Sequence, residues 1–182
     1  YMTYRQALEV FRSRCDFIPV AERSDLVVRL DQWVIEAATA QMASWSSHPV
    51  LGEVTLAVNV SGRHVADVHF VDHVRGALAT SGFPPERLVL EVTETALVAD
   101  MARAAVQIAL VRELGVKVAV DDFGTGHTGL THIRTVTVDE IKIDRSFTAE
   151  LPETVTLVQI VMDLARHLGL VTVAAGVETA EQ

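Results

Sequence analysis

The sequence lacks the features of a secreted, membrane-spanning or polyanion-binding protein. Cys15 is its only cysteine, which excludes an internal disulfide and predicts a reducing compartment. Basic residues are few, 15 against 24 acidic ones, so we expect no DNA or RNA partner. No apolar run has the length of a membrane span and no signal-peptide pattern opens the chain. We therefore expect a cytoplasmic protein, or the cytoplasmic domain of a membrane-attached one, without membrane contact of its own.

The sequence is rich in apolar residues. Of its 182 residues 49% are hydrophobic and 21% are charged, which is typical of one globular domain with a substantial core. No low-complexity linker divides it, so we treat residues 1–182 as a single domain. Because it starts at Tyr1 and stops at Gln182 directly after a strand-like segment, we expect this domain to lack segments near its N-terminal motif and at its C-terminal end.

Amphipathic helical segments alternate with short β-branched segments. Helical periodicity covers 26–45, 64–82, 98–115 and 154–169, and in the first of these we expect a buried stripe of Leu26, Leu30, Trp33, Val34 and Ala37. The strand-like segments are 55–60, 88–94, 117–123, 140–144 and 172–178. The intervals between them are too long for hairpins, which predicts parallel strands joined by crossover helices in an α/β fold.

The predicted strands carry aliphatic residues on one face and small or polar residues on the other. Alternate residues of a strand point to opposite faces, which places these side chains together on the second face: Asn59, Glu91, Asp121, Lys142 and Glu178. The same alternation assigns Val173 and Val177 to the aliphatic face. A TIM-like (β/α)8 barrel explains this pattern, with helices outside and the site at the C-terminal strand ends. An open doubly wound sheet is the alternative, with helices on both faces.

The polar face offers oxygen ligands without soft ones. Asn59, Glu91, Asp121 and Glu178, with Asp122 next to them, suit Mg²⁺, Mn²⁺ or Ca²⁺ better than Zn²⁺. Adjacent aspartates normally face opposite ways along a strand. A strand that bends at its end, before the glycine of "DDFG" (121–124), would bring both carboxylates to one centre, one for each of two metals.

Lys142 is predicted to lie among these carboxylates. An ammonium there would act as a phosphate or transition-state clamp, or hold an attacking water, which together with metals suits phosphodiester hydrolysis. Taken singly, "DDFG" is equally consistent with a polar turn, and Lys142 with a structural salt bridge. The shared face favours a site. We assign His69 and His73, four residues apart on a predicted helix, to a solvated surface.

Five motifs resemble one known family. They are "VNVSGRHV" (58–65), "LEVTET" (90–95), "VDDFGTG" (120–126), "DEIKIDRSF" (139–147) and "AAGVETAEQ" (174–182). In order and spacing they resemble the EAL-domain family of bacterial cyclic-di-GMP phosphodiesterases. The resemblance implies an eight-stranded barrel with one antiparallel strand, and hydrolysis of cyclic di-GMP to linear pGpG with Mg²⁺ or Mn²⁺ at two sites.

The resemblance also assigns roles to individual residues. It makes Asn59, Glu91 and Asp121 ligands of one metal and Asp122 a ligand of a second. Lys142 corresponds to the family's lysine near the attacking water, which makes it catalytic together with Asp121. Glu178 corresponds to the last glutamate of the family's "AEGVE" motif, a further catalytic position, and Glu94 to the glutamate that steadies the loop from Phe123 to Gly129.

Two departures from the family pattern concern the site. Ala175 stands where the family has a glutamate implicated in metal binding and water activation, so turnover is expected to be impaired. The signature Glu-Ala-Leu is replaced by "ALEVFRSR" (7–14). In this alignment Glu9 is the metal-binding glutamate, and Arg12 or Arg14 is the phosphate-contacting arginine, of which we take Arg14 as the substrate-binding residue.

The resemblance implies partners and leaves alternatives open. It implies cyclic di-GMP as the ligand, a homodimer, and attachment to sensory or GGDEF-type domains in the full-length protein. Because of Ala175, two alternatives to the phosphodiesterase stand. One is a receptor that binds cyclic di-GMP without turnover, and the other is a degenerate scaffold that serves in signalling or dimerisation.

Overall fold

The computed structural model describes residues 18, 21–124, 136–151 and 153–179, and its architecture is an α/β fold. The strands are β1 (Leu56–Asn59), β2 (Leu88–Thr93), β3 (Lys117–Phe123), β4 (Glu140–Ile143) and β5 (Val171–Ala174). The described α-helices are α1 (Leu26–Ser44), α2 (Gly62–Val65), α3 (Phe70–Ser81), α4 (Glu94–Ala99), α5 (Met101–Glu113), α6 (Arg145–Ala149) and α7 (Val155–Leu168). Short 3-10 turns at Leu51–Glu53 and Pro85–Arg87 precede β1 and β2.

The five strands form one parallel sheet in the order β1-β2-β3-β4-β5. Each strand pairs with the next strand along the chain. At least one helix lies between β1 and β2, between β2 and β3, and between β4 and β5. This arrangement confirms the predicted α/β class and the parallel crossover connections. Barrel closure and the antiparallel strand lie beyond the described strands and stay predictions. Within the described part of the chain, no helix is both long and apolar enough to cross a membrane.

The aliphatic face of the first four strands packs on the helices as expected. Val58, Leu90, Val118 and Ile141 are at most 4% exposed and belong to one core cluster. Helices supply the other side of that cluster, including Phe70, Val74, Ile108 and Val111. Burial of this apolar surface is the main favourable term that holds the sheet and its helices together.

The helix boundaries and the predicted stripe of α1 need correction. The helix predicted over 64–82 is two helices, since α2 ends at Val65 and α3 begins at Phe70. Ser61 caps α2, its hydroxyl accepting from the backbone N–H of His64. The expected stripe is wrong for Trp33 and Leu26, which are 63% and 44% exposed, whereas Val34 does pack against the core. The buried residues of α1 are Val27, Asp31, Ile35, Thr39 and Met42. Two of them are polar, and a search for apolar spacing passes over them.

The predicted faces of β5 are also wrong. The strand ends at Ala174, so alternation does not extend to Val177 or Glu178. Val173 is the register partner of Lys142, and partners in a parallel ladder share a face. Val173 therefore lies on the side of Lys142, whereas the sequence had placed it with the helix-facing residues. The aliphatic residues of "VTVA" do not distinguish the two faces.

A cavity of about 590 Å³ lies at the amino ends of the later strands. Its lining includes Lys117, Glu140 and Val171, the first residues of β3, β4 and β5. The carboxylates of the predicted site lie at the opposite, carboxyl ends of the strands. Because catalytic groups of parallel α/β folds gather at the carboxyl ends, we place the candidate site there and not in this cavity.

Candidate functional site

The register of the sheet aligns the first site residues across neighbouring strands. Asn59, the last residue of β1, pairs with Glu91 of β2. Asp121 of β3 pairs with Thr93, two residues further along β2 than Glu91. The parallel ladder thus brings an amide and two carboxylates to the carboxyl end of the sheet on one face. Glu91 is 8% exposed, whereas the Asn59 side chain is exposed at the rim.

A β-bulge in β3 places two adjacent aspartates opposite a single residue of β4. Val120 pairs with Ile141 and Phe123 pairs with Ile143, so Asp121 and Asp122 together stand opposite the single residue between those partners. Asp122 adopts φ 54°, in the left-handed region that Asp tolerates better than most residues. The extra residue breaks the strict alternation of the strand at this point. The sequence predicted a bend at the end of this strand, at Phe123-Gly124, whereas the irregularity lies at the two aspartates themselves. That both carboxylates reach one centre stays a prediction.

Lys142, the residue that the bulge faces, joins two carboxylates. Its Nζ lies 2.8 Å from Glu91 Oε2 and 3.2 Å from Asp121 Oδ1. The three side chains are largely buried, with exposed fractions of 20% for lysine, 10% for the glutamate and 18% for the aspartate. Both carboxylates are therefore within reach of a single cation, here the ammonium group.

The charges around Lys142 keep it protonated. Burial alone would lower the pKa of Lys142, but hydrogen bonds to Glu91 and Asp121 and their negative charges raise it above its ordinary value. An ammonium with a raised pKa donates hydrogen bonds at neutral pH and does not act as a general base. Lys142 therefore contributes a fixed positive charge to the cluster.

Asp122 and Asp144 form a second acidic pair beside the first. Burial raises the pKa of Asp122, and the negative charges of Asp121 and Asp144 add to that effect, with Lys142 opposing it. Asp144 caps α6, and hydrogen bonds from Ser146 lower the pKa of its carboxyl. The set of predicted ligands had omitted Asp144, although strand alternation already put it on the face of Lys142.

Glu94 contacts the turn that follows the bulge. Its Oε2 accepts a hydrogen bond from the backbone N–H of Gly124 at 3.1 Å. Gly124 has φ +97°, and a Cβ added there would lie 2.9 Å from the Phe147 ring. Only glycine fits both the conformation and the close approach. The sequence had proposed that Glu94 steadies this loop, and its contact lies at the first residues of that loop.

The remaining predicted residues follow β5 or lie outside the described chain. The Ala175 N–H donates to the Ile143 carbonyl at 3.0 Å, which extends the β4–β5 ladder by one residue. Ala175 follows Val173 by two residues and so continues its row on the side of Lys142. Glu178 lies beyond β5 and is exposed. Glu9, Arg12 and Arg14 are outside the described residues, as is most of the loop 123–129.

The donor set fits a hard divalent cation in its chemistry. Asn59, Glu91, Asp121 and Asp122 offer only oxygen, and the demand for positive charge is visible in the pair of carboxylates that share Lys142. Within the described ranges, no group of three or more acidic, histidine or cysteine side chains is arranged to hold a metal. Lys142 stands between Glu91 and Asp121, and Asn59 and Asp122 offer further oxygen donors at the exposed rim.

These features define an α/β domain with a lysine-bridged acidic cluster at the carboxyl ends of parallel strands. The family model described as "EAL domain" matches residues 2–182, and the chain belongs to this family. This membership confirms the resemblance carried by the five motifs. It is consistent with the observed α/β fold of a parallel sheet with helices.

The relatives include proteins named as cyclic-di-GMP enzymes. The chain is 37% identical over 172 residues to the cyclic di-GMP phosphodiesterase PA2567 of Pseudomonas aeruginosa, which covers 93% of this chain and 29% of that protein. It is 36% identical over 171 residues to MucR of the same organism, a bifunctional diguanylate cyclase and cyclic di-GMP phosphodiesterase, covering 91% of this chain and 24% of MucR. The chain thus spans less than a third of the length of these relatives.

Solved structures show the same fold. A MucR phosphodiesterase structure in complex with cyclic di-GMP superposes with a TM-score of 0.82 at 36% identity, covering 91% of this chain and 72% of that one. A calcium and cyclic-di-GMP complex of BlrP1 from Klebsiella pneumoniae has a TM-score of 0.77 at 28% identity, covering 86% of this chain and 40% of that one. Both likenesses concern the domain and not the whole proteins.

Proposed function

We propose that this domain binds cyclic di-GMP and hydrolyses one of its phosphodiester bonds to give linear pGpG, using two divalent cations, Mg²⁺ or Mn²⁺. The observation that carries the proposal is the cluster of Lys142 with Glu91 and Asp121 at the carboxyl end of the sheet. Relatives named as cyclic-di-GMP phosphodiesterases and solved complexes with that nucleotide support it. Membership of the EAL-domain family makes a hydrolase the leading enzyme class.

Each residue of the cluster has a role in this proposal. Asn59, Glu91 and Asp121 hold one cation, and Asp122, presented by the bulge, holds the second. When bound, the cations would neutralise charge on the scissile phosphate and make an attacking water more acidic. Glu9 and Glu178 complete the acidic set, and Arg14 contacts a phosphate of the substrate.

Lys142 acts as a donor in the proposed reaction. Its ammonium, kept charged by Glu91 and Asp121, donates either to a phosphoryl oxygen or to the attacking water. Asp121 orients the same water from the side of the bulge. Glu94 fixes the Gly124 N–H, and with it the start of the loop that follows both aspartates. Hydrolysis then places the water oxygen on phosphorus while the ribose 3′ oxygen leaves with a proton.

An assay with the purified protein tests this function. We expect pGpG to form from cyclic di-GMP in the presence of Mn²⁺, and Asp121→Ala to abolish it. Asp163→Ala is the matched control, because Asp163 is an exposed aspartate of α7 that pairs with Arg166 far from the cluster. Equal turnover in the two variants would contradict the assignment of Asp121.

A receptor without turnover is the second candidate, and Ala175 favours it. The methyl group of Ala175 continues the row of Val173 and Lys142, where the family pattern has a carboxylate. Calorimetry of cyclic di-GMP binding separates the candidates. Binding without pGpG would establish the receptor, and the absence of both binding and product would leave only the scaffold.

A further inference from the structure

A buried carboxylate on α1 has no part in the proposed chemistry. Asp31 is 8% exposed and lies in the second turn of the helix, on the same buried stripe as Val27 and Ile35. Burying a carboxylate is costly unless hydrogen bonds or opposite charge compensate it. The contacts of Asp31 therefore show what the chain gains from keeping it there.

The contacts of Asp31 are made to the segment that follows β1, at Ser61 and His64. Asp31 Oδ2 accepts a hydrogen bond from the Ser61 backbone N–H at 2.8 Å and another from the Ser61 hydroxyl at 2.6 Å. The fully buried His64 ring lies behind it, with Nδ1 3.6 Å from the same oxygen. Ser61 already caps α2 with its own Oγ. The cap therefore does not require Asp31, which instead ties Ser61 to α1.

Ser61 follows Asn59 by two residues, so this tie reaches the candidate site. The Val60 N–H donates to the Glu91 carbonyl at 2.9 Å, which fixes the first residue after Asn59 to β2. Asp31 fixes the second residue to α1. The next residue, Gly62, packs so closely on α4 that an added Cβ would lie 2.7 Å from the Ala96 carbonyl oxygen. The backbone that leaves Asn59 is thus held from three sides.

We infer that Asp31 is a positioning residue, which holds the turn after β1 so that the Asn59 amide is presented beside Glu91 toward a divalent cation. The inference rests on the proposed function, in which Asn59 is a ligand. An amide oxygen carries no net charge, so it attracts a cation less strongly than the neighbouring carboxylates do. Its contribution therefore depends on being held in the right place, which residues behind the ligand commonly ensure.

The test compares Asp31→Ala with Thr39→Val. Thr39 is a fully buried residue of the same helix, and its hydroxyl bonds only within α1, to the Ile35 and Glu36 carbonyls. Both changes remove buried hydrogen bonds of α1, but only the first releases Ser61. With Mn²⁺ binding measured by electron paramagnetic resonance, we expect Asp31→Ala to raise the Kd about tenfold and Thr39→Val to leave it within about twofold.

A double-mutant cycle decides whether Asp31 acts through Asn59. If it does, Asp31→Ala raises the Mn²⁺ Kd far less in an Asn59→Ala background than in the wild type. Asp31→Asn keeps an oxygen that accepts from Ser61, so we expect it to recover most of the affinity. If Asp31→Ala does not fold, Asp31→Asn replaces it in the test. We then expect the Mn²⁺ Kd of Asp31→Asn to rise in the same direction but by less.

The outcomes separate this inference from the proposed function. If Asn59→Ala weakens Mn²⁺ binding while Asp31→Ala matches Thr39→Val, the positioning role is overturned and the ligand assignment stands. If Asn59→Ala has no effect, the proposed metal site fails. In that case amide hydrogen exchange still tests whether Asp31 holds the turn after β1. The amides of Val60 and Ser61 should exchange faster in Asp31→Ala than in Thr39→Val, and equal rates would overturn that role of Asp31.

Discussion

Two parts of the sheet differ in how well they are covered. We call β2, β3 and β4 with the helices that pack on them the covered end, and β5 with α7 the exposed end. At the covered end, every residue of β2 except Thr93 is buried. At the exposed end, no residue of β5 is buried, and Ala165 is the one buried residue of α7. Large apolar side chains of α7 are 37% to 54% exposed, namely Val155, Leu157, Ile160, Met162 and Leu168.

The difference shows that apolar alternation fixes the type of an element but not its burial. Both ends carry the same β-branched strands and amphipathic helices, yet only the first is covered on its helix side within the described residues. The lysine-bridged cluster belongs to the covered end, on β2, β3 and β4. Ala175 and Glu178 follow β5 at the exposed end. Fixed charges need a rigid scaffold to keep their positions.

The largest effect that we expect is the loss of a core side chain. Leu90 of β2 is 1% exposed, so Leu90→Ala should lower the free energy of unfolding by about 3 kcal/mol through lost burial and a residual cavity. Ile160→Ala, at 54% exposure on α7, should change it by about 0.5 kcal/mol or less. Chemical denaturation measures both. Similar losses would mean that another surface covers α7 in solution.

The sequence was sufficient for the five strands and their parallel arrangement, and for the site face of the first four strands, but not for the helix boundaries. Parallel strands could be predicted because β-branched segments alternate with helical ones at long intervals. Asn59, Glu91, Asp121 and Lys142 fell on one side because polar residues interrupted an otherwise aliphatic pattern. The same logic failed for β5, where "VTVA" has no charged residue to mark a face, and the register with β4 decided it.

Other features depend on contacts between distant segments. Asp31 and Ser61 are thirty positions apart, and nothing in the local pattern of α1 marks a buried aspartate as the partner of a turn. His73, assigned to a solvated surface, instead bonds the buried His64 at 3.0 Å between ring nitrogens. A one-residue bulge could be suspected from paired aspartates, but its position required the partner strand.

The bridge between the two carboxylates gives the next largest effect. Lys142→Met should lower the free energy of unfolding by about 2 kcal/mol, because Glu91 and Asp121 lose charged hydrogen bonds while staying mostly buried. Lys117→Met is the control, since Lys117 is an exposed lysine at the amino end of β3. Thermal unfolding with and without Mn²⁺ measures the stability of both variants. We expect the cation to stabilise Lys142→Met more than the wild type, and equal stabilisation would contradict a shared site.

A carboxylate at position 175 should extend the site into the exposed end. Ala175→Glu places it on the row of Lys142, and we expect turnover of cyclic di-GMP to rise about tenfold, a barrier lowered by about 1.4 kcal/mol. Ala175→Gln has the same size without the charge and should give no such rise. Product analysis by chromatography measures both. An unchanged rate in the glutamate variant would show that position 175 does not face the reacting phosphate.

The smallest effect concerns His73 of α3, at the covered end. Burial lowers the pKa of His73, and the charge of His64 adds to this, with Asp67 and Asp72 opposing it and His69 reinforcing it. In the folded protein the His73 imidazole therefore takes up a proton at a lower pH than in the unfolded chain, where its pKa has the ordinary value near 6.5. The stability that is present above that pH is lost as the pH falls. His73→Gln should flatten this loss between about pH 7.5 and 5.5, by an amount that solvent screening keeps small.

A matched variant at the exposed end completes the comparison. His167→Gln removes an exposed histidine of α7 whose ring bonds the Asp163 carbonyl within the helix. Urea denaturation at several pH values measures both variants. A flatter curve in His73→Gln alone ties the pH dependence to the contact between α3 and the buried His64, because that contact excludes water from the ring. Equal flattening in the two variants would assign the pH dependence of stability to charge spread over the whole surface. His73 and His167 have no hydrogen-bond partner in common, so a local contact would not explain an equal effect.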